Sequence, residues 1–253
     1  MPVLGVIPAR LGSTRLARKP LQLLGGEPLV VRVWQRVRRI EIIDELVVAT
    51  DSPEIGEAVE RAGGRAVLTS PRHESGTERV AEVARRVEFD GYDIVMNIQG
   101  DEPFLPLEAV DGAVARVEAG DDVGTAAVPL DSARANDPSR VKVVCDSQGR
   151  ALYFSRARIP FVRGETAAEV ADLFWHHLGI YAYRREALAR WVALPPTDLE
   201  RAERLEQLRP LYHGLSIGVA LLDTAAPSGI DTQDDLERAE RLWPQHAMGE
   251  GDR

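Results

Sequence analysis

The alternation of short apolar runs with helix-period stretches constrains this chain most. VLGVI, ELVVAT, RAVLTS and YDIVMNIQGDEP are apolar runs of strand length, the last leading into a polar turn. Between them, PLVVRVWQRVRRI, SPEIGEAVERAG and TERVAEVARRVE carry apolar residues at helical spacing. Strand–helix alternation of this kind predicts an α/β chain whose sheet is mostly parallel, with helices on both faces. Ser52 suits an N-cap and Pro53 the first helical position, so a helix is expected to begin there. Ligands in such sheets bind beyond the carboxyl ends of the strands. The polar residues after VLGVI, VVAT and IVMNI are therefore expected to face one crevice.

The second half is less regular. VGTAAVP, VKVVCD and LSIGVALLD read as strands, and ALYFSRARIPF and HHLGIYAYR are aromatic, the former interrupted by Pro160. One helix is expected to end near Trp191, another to span about Asp198 to Arg209, and TQDDLERAERLW to close the chain. VRGETAAEVAD is the expected flexible insertion and MGEGDR a frayed tail.

With 31 Lys and Arg against 40 Asp and Glu, the formal net charge is −9. That balance argues against general nucleic-acid binding, which leaves a basic footprint. Cys145 is the single cysteine, so there is no intrachain disulfide framework and no cysteine-based zinc site; it is expected to be a buried small hydrophobe. No segment approaches the roughly 20 apolar residues of a membrane span, and the first ten residues lack a leader pattern. A soluble cytoplasmic protein without membrane partners is the expectation.

Against this acidic background, IPARLGSTRLARKP gathers Arg10, Arg15, Arg18 and Lys19 around Gly12, Ser13 and Thr14. Small residues expose backbone N–H groups and the cations add charge, a combination suited to phosphate oxygens. It is neither a Walker A loop, because Pro20 follows Lys19, nor a G-x-G-x-x-G fingerprint, which disfavours a nicotinamide oxidoreductase. HESGTER places Ser75, Gly76 and Thr77 before a helix, where Ser75 or Thr77 can cap it and the amides can also face a ligand. NIQGDEP ends a strand in Gln99, Gly100 and Asp101. A carboxylate there suits Mg²⁺, a hard cation that leaves much of its shell to water and phosphate. Asp231 in PSGIDTQDDL offers a second carboxylate, or equally a helix-start residue.

These motifs resemble 3-deoxy-manno-octulosonate cytidylyltransferases. IPAR, STR, KP, VATD, HESGTERVAEV, NIQGDEP, VKVV, ALYFSRARIP, HHLGIYAYR, LEQLR and GIDTQDDLE follow the family's order from about Val3 to Trp243. The resemblance implies a Rossmann-like nucleotidyltransferase fold over 1–253, with about 130–215 forming a smaller inserted region for sugar binding and dimerisation. It implies Mg²⁺-dependent transfer of CMP from CTP to the anomeric hydroxyl of Kdo, an acidic keto sugar. Pyrophosphate is released and Kdo activated for lipopolysaccharide biosynthesis by a homodimer. By position, Arg10, Ser13, Arg15 and Lys19 hold the triphosphate. His73, Gly76, Thr77 and Gln99 line the CTP pocket, and Asp101 and Asp231 bind metal. Arg10, Lys19 and Asp101 serve catalysis. Arg156, His177, Tyr181, Glu206 and Gln207 face the sugar, with Arg156 pairing with its carboxylate. Relatives commonly read P-G-K-P where this chain has Ala17-Arg18-Lys19-Pro20, leaving Arg18 as an extra clamp or a solvated replacement for glycine. Sialic acid or an amino analogue of Kdo is the alternative acceptor, and a nucleotide-binding regulator the alternative class.

Overall fold

The computed structural model describes residues 1–12, 15–164, 173–224 and 229–249, the last five by backbone alone. Ser13, Thr14, most of the expected insertion and the final four residues of the expected tail lie outside the described residues. In chain order the first elements are β1 (Val3–Ala9), β2 (Leu23–Leu24), β3 (Glu27–Pro28), α1 (Leu29–Val37), β4 (Glu45–Thr50), α2 (Pro53–Arg61), β5 (Arg65–Leu68), α3 (Gly76–Ala84) and β6 (Ile94–Asn97). Then come α4 (Leu107–Glu118), β7 (Val123–Pro129), β8 (Lys142–Cys145), β9 (Ala151–Ser155), β10 (Trp175–Arg184), α5 (Arg185–Ala193), α6 (Asp198–Glu203), α7 (Leu208–Tyr212), β11 (Ile217–Leu221) and α8 (Gln233–Gly249).

The chain forms two compact units. The first comprises Val3–Asp90, Asn97–Leu105 and Pro227–Arg253. Here β1 pairs in parallel with β4, Leu4 opposite Glu45 through Ala9 opposite Thr50, and β4 pairs in parallel with β5. The strands are parallel because α1 and α2 carry the chain back between them. Helix α1 turns Leu29, Val30, Val33, Trp34 and Val37 inward, each large side chain contributing about 1.5–3 kcal/mol on burial. Ser52 caps α2 by accepting from Ile55 N, as its sequence position predicts.

A second apolar cluster in this unit positions the site. Leu16, Leu24, Leu29, Phe104, Ile230, Leu236 and Ala239 pack together with Trp243 against them. Leu16 lies three positions before Lys19, Phe104 three after Asp101, and Ile230 immediately before Asp231. Ile230 N also donates to Asp101 O at 2.9 Å. Three distant polar segments are thus held at one place by their apolar neighbours.

The second unit comprises Met1–Pro2, Gly91–Met96 and Pro106–Ala226, and contains the expected 130–215 region. Its β7 pairs in parallel with β11 and antiparallel with β10. Strand β10 also pairs antiparallel with β8, and β8 with β9. Helix α4 is absent from the sequence reading, yet it buries Ala109, Val110, Ala113, Val114 and Val117. The single helix expected over Asp198 to Arg209 is two helices. A Thr197–Glu200 capping box starts α6, and Arg204 ends it in the left-handed conformation at φ 52°. Cys145 is half-buried rather than buried, and burial followed by the charge of Asp146 pushes its thiol up to about 11. Among the described residues no helix is long and apolar enough to cross a membrane.

Candidate active site

The first unit contains a cavity of about 340 Å³ beyond the carboxyl end of β1, lined by residues from both of its first two polar motifs. Arg10, Arg15 and Lys19 line it, as do Gly76, Gln99, Asp101 and Asp231. These residues are brought together as expected for one crevice, but Asp51, after VVAT, does not line it and instead accepts from Arg79, which does. Two glycines let the backbone come close: a Cβ on Gly76 would sit 3.3 Å from Pro8 Cγ, and one on Gly100 would sit 3.2 Å from Pro8 O. Side chains there would require Pro8 or its neighbours to give by a few tenths of an ångström. Ser75 caps α3, its hydroxyl accepting from Glu78 N at 3.1 Å, and it also lines the cavity.

Lys19 is the electrostatic hub. Its ammonium contacts Asp101 and lies 2.9 Å from Asp231 Oδ1, while Arg15 Nη2 lies 3.0 Å from the same oxygen. Burial disfavours the Lys19 charge, but Asp101 and Asp231 outweigh it and raise its pKa above the ordinary lysine value. Beside them, burial first and then the charges of Asp101 and Asp231 push Glu102 up to about 8. Arg10 Nη1 donates to Glu74 O at 3.4 Å, which relates the cationic loop to the segment before α3.

The two aspartates are hard-oxygen donors gathered around a single ammonium, a donor set that fits a divalent cation. Among the described residues no cluster of three or more His, Cys, Asp or Glu could hold a metal by itself. The chain therefore offers part of a coordination shell, as suits a cation that keeps water and phosphate ligands.

Other expected residues are placed differently. His73 and Thr77 are not among the cavity-lining residues. His73 Nε2 lies 2.6 Å from Glu82 Oε2, and Thr77 is buried in α3. Ser13 lies outside the described residues. Arg18 takes the left-handed conformation at φ 52° and pairs with Glu54 of α2, and it does not line the cavity. A glycine at this position would meet the same backbone demand without side-chain strain. Arg79 was missed: it is 2 % exposed, lines the cavity, and ties Asp51 at 2.9 Å to Thr69 and Ser70 O. Its signal was present in VATD and HESGTER, a carboxylate after one strand and an arginine one turn into the next motif.

The expected sugar residues all lie in the second unit. His177 and Tyr181 flank a break in register between β10 and β7, where Leu178 opposes Ala126 but Tyr181 opposes Thr125. Without that bulge, four residues of strand would hold the rings about 13 Å apart; with it, their centroids are 5.5 Å apart. Thr125 Oγ1 donates to Ile180 O at 2.6 Å inside the bulge and lies 3.0 Å from His177 Nε2. With its one proton so used, Thr125 accepts from His177, which assigns the Nε2–H tautomer. Burial, then His176, pushes His177 down to about 3, so the ring is neutral. Burial, then Tyr183 and Glu206, raises the Tyr181 hydroxyl. Gln207, 5 % exposed, precedes α7. Arg156 directs Nε to Glu203 O at 2.8 Å, Nη1 to Pro138 O at 3.0 Å and Nη2 to Arg204 O at 3.3 Å. Glu203, which also accepts from Arg156 N, is another residue the sequence reading missed.

Known proteins provide an independent measure of this arrangement. The cytidylyltransferase family profile matches residues 4–217. A 3-deoxy-manno-octulosonate cytidylyltransferase of Gemmatimonas aurantiaca is 58% identical over 245 residues, covering 96% of this chain and 95% of that protein. One from Yersinia enterocolitica is 44% identical over 247 residues, covering 96% and 98%. Among solved structures, CMP:2-keto-3-deoxy-manno-octonic acid synthetase complexed with CTP has a TM-score of 0.90 at 40% identity, covering 97% of this chain and 100% of that one. A 4-diphosphocytidyl-2C-methyl-D-erythritol synthase from Anaerococcus prevotii, at 15% identity and TM-score 0.62 over 96% of both chains, shares the fold alone. An acidic chain with a cationic cavity, a converging aspartate pair and this degree of likeness along its length belongs to the 3-deoxy-manno-octulosonate cytidylyltransferase family.

Proposed function

We propose that this chain transfers CMP from CTP to the anomeric hydroxyl of Kdo and releases pyrophosphate. The observation that carries the reading is the convergence of Lys19, Asp101 and Asp231 in a cavity also lined by Arg10 and Arg15. The kinship with a synthetase solved with CTP supports the choice of nucleotide.

The reaction forms a bond from the sugar oxygen to the α-phosphorus and breaks the bond from that phosphorus to the bridging oxygen. The electron pair leaves with pyrophosphate, and the proton of the sugar hydroxyl passes to solvent water. Both substrates are anions, so their approach is electrostatically costly in a partly dry site. Arg10, Arg15 and Lys19 offset that repulsion and stabilise charge as it moves onto the leaving group. Asp101 and Asp231 would hold Mg²⁺, whose chemistry there is to neutralise phosphate charge and make the sugar hydroxyl more acidic. Gln99, Gly76 and Ser75 shape the wall against which the nucleotide is oriented. His73 and Thr77 are read with them as CTP-pocket residues by their place in HESGTER, and Ser13 as a triphosphate ligand by its place in the first motif. Arg156 meets the sugar carboxylate, with His177, Tyr181, Glu206 and Gln207 around the sugar.

The whole chain works as one nucleotidyltransferase domain, with 130–215 serving the sugar and a homodimer contact. It acts in the cytoplasm to activate Kdo for lipopolysaccharide synthesis. Incubation with CTP, Mg²⁺ and Kdo should yield CMP-Kdo and pyrophosphate. Turnover with sialic acid or an amino analogue but none with Kdo would replace the acceptor and keep the class. CTP binding without pyrophosphate release from any of these sugars would make the chain a nucleotide-binding regulator.

A further inference from the structure

Lys142 is fully buried at the start of β8, between Ser155 of β9 and His176 of β10 in the sheet register. A buried ammonium is costly unless its protons are met. Its Nζ donates to the carbonyls of Asp137 at 3.0 Å, Arg140 at 2.6 Å and Arg156 at 2.6 Å. An ammonium has three protons, so Lys142 has no donor left for a ligand. Its work is to order those three carbonyls.

All three bear on Arg156. Lys142 holds the main-chain carbonyl of Arg156 itself. It also holds Asp137 O and Arg140 O, on either side of Pro138, whose own carbonyl receives Arg156 Nη1 at 3.0 Å. The backbone and the tip of Arg156 are therefore referenced to one buried cation. Glu203 secures the other side: Oε2 accepts from Arg156 N at 2.9 Å, and Glu203 O accepts from Nε at 2.8 Å. Glu203 Oε1 also accepts from Ser155 Oγ at 2.5 Å. A guanidinium has five N–H donors. Among the described residues, beyond the bonds to Glu203, Pro138 and Arg204, one donor remains on each terminal nitrogen. Two donors on neighbouring guanidinium nitrogens can receive a carboxylate on both oxygens.

We propose that Lys142 and Glu203 are positioning residues for the acceptor sugar, setting Arg156 so that its two remaining donors meet the sugar carboxylate. The proposal rests on the reading of Arg156 as the carboxylate's partner. Steady-state kinetics with Kdo and CTP varied in turn, at fixed Mg²⁺, test it on Lys142→Met, Glu203→Gln, Arg156→Lys and the Arg156→Lys double with each. CTP binding by titration calorimetry reports that each variant is folded.

Each single change should raise KM for Kdo by about tenfold or more, because small misplacements of a binding group cost that much, and leave KM for CTP within about twofold. Each double variant should be no worse than Arg156→Lys alone, since residues acting through one group are not additive. An unchanged Kdo KM in Arg156→Lys would remove the sugar reading of Arg156 and this proposal with it. A raised KM in Arg156→Lys with none in Lys142→Met and Glu203→Gln overturns the positioning role alone. So do effects that multiply in the doubles. Should Lys142→Met lose CTP binding, Glu203→Gln and its double decide by the same readouts.

Discussion

Lys19 and Asp231, 212 positions apart in the chain, meet at 2.9 Å. The contact exists because Leu16 and Ile230 pack in the same apolar cluster, so burial of hydrophobic neighbours delivers the two charges. Asp101 joins them through the hydrogen bond from Ile230 N to Asp101 O. The convergence of the three charges is therefore a by-product of core packing.

Replacing Lys19 by Met removes the shared cation and leaves two carboxylates facing an anionic substrate. The kcat/KM for CTP should fall by about 10²-fold or more, the scale of losing one preorganised charge at a developing anion. Thermal unfolding should move little, since Leu16 and Leu24 still hold the loop. A loss below about threefold in kcat/KM would contradict the role given to Lys19.

Asp101→Asn keeps the shape and removes the charge. Turnover should drop by at least about two orders of magnitude and the Mg²⁺ concentration for half-maximal rate should rise. Circular dichroism and melting should match the parent chain. Near-normal turnover at saturating Mg²⁺ would refute the assignment.

Arg18 sits at φ 52°, where an L-residue costs roughly 1–2 kcal/mol and glycine costs little. Its exposed pair with Glu54 contributes about 0–1 kcal/mol. Arg18→Gly should thus be neutral or stabilising by up to about 1 kcal/mol. Arg18→Val, β-branched, should destabilise by about 1–2 kcal/mol. Neither should move KM for CTP more than about threefold, because Arg18 does not line the cavity. A large rise in that KM would restore Arg18 as a triphosphate clamp.

His177 and His176 are pushed down to about 3 and about 4 from an ordinary 6.5, in both cases chiefly by burial. The folded state keeps them neutral while the unfolded chain protonates them below 6.5. Their stabilising effect is complete above that value and is lost as pH falls toward 4 and then 3, with a slope of up to about 1.4 kcal/mol per pH unit for each. Urea denaturation at pH 7, 5.5 and 4.5 should show it. His177→Gln, which can still donate to Thr125, should flatten the difference curve against the parent. Parallel curves would mean that His177 takes its proton without penalty.

Much was legible without coordinates. Ser52 and Ser75 announced two helix starts because a capping hydroxyl needs only its own chain neighbours. The first crevice was legible because parallel strands with helical crossovers place their carboxyl ends together. Arg10, Lys19, Gln99 and Asp101 all follow directly on that logic.

Tertiary structure decided the rest. Asp231 read equally as a helix-start residue until Ile230 packed beside Phe104. The meeting of His177 and Tyr181 depends on the register shift between Leu178 and Tyr181 of β10 against β7, a choice that strand propensity does not encode. Lys142 in VKVV carries no local sign that its ammonium is buried and its protons spent on three carbonyls. Local sequence specifies caps, periods and loop chemistry, since those energies arise between near neighbours. Which charges face each other, and which arginine is held still, arises from packing among residues far apart in the chain.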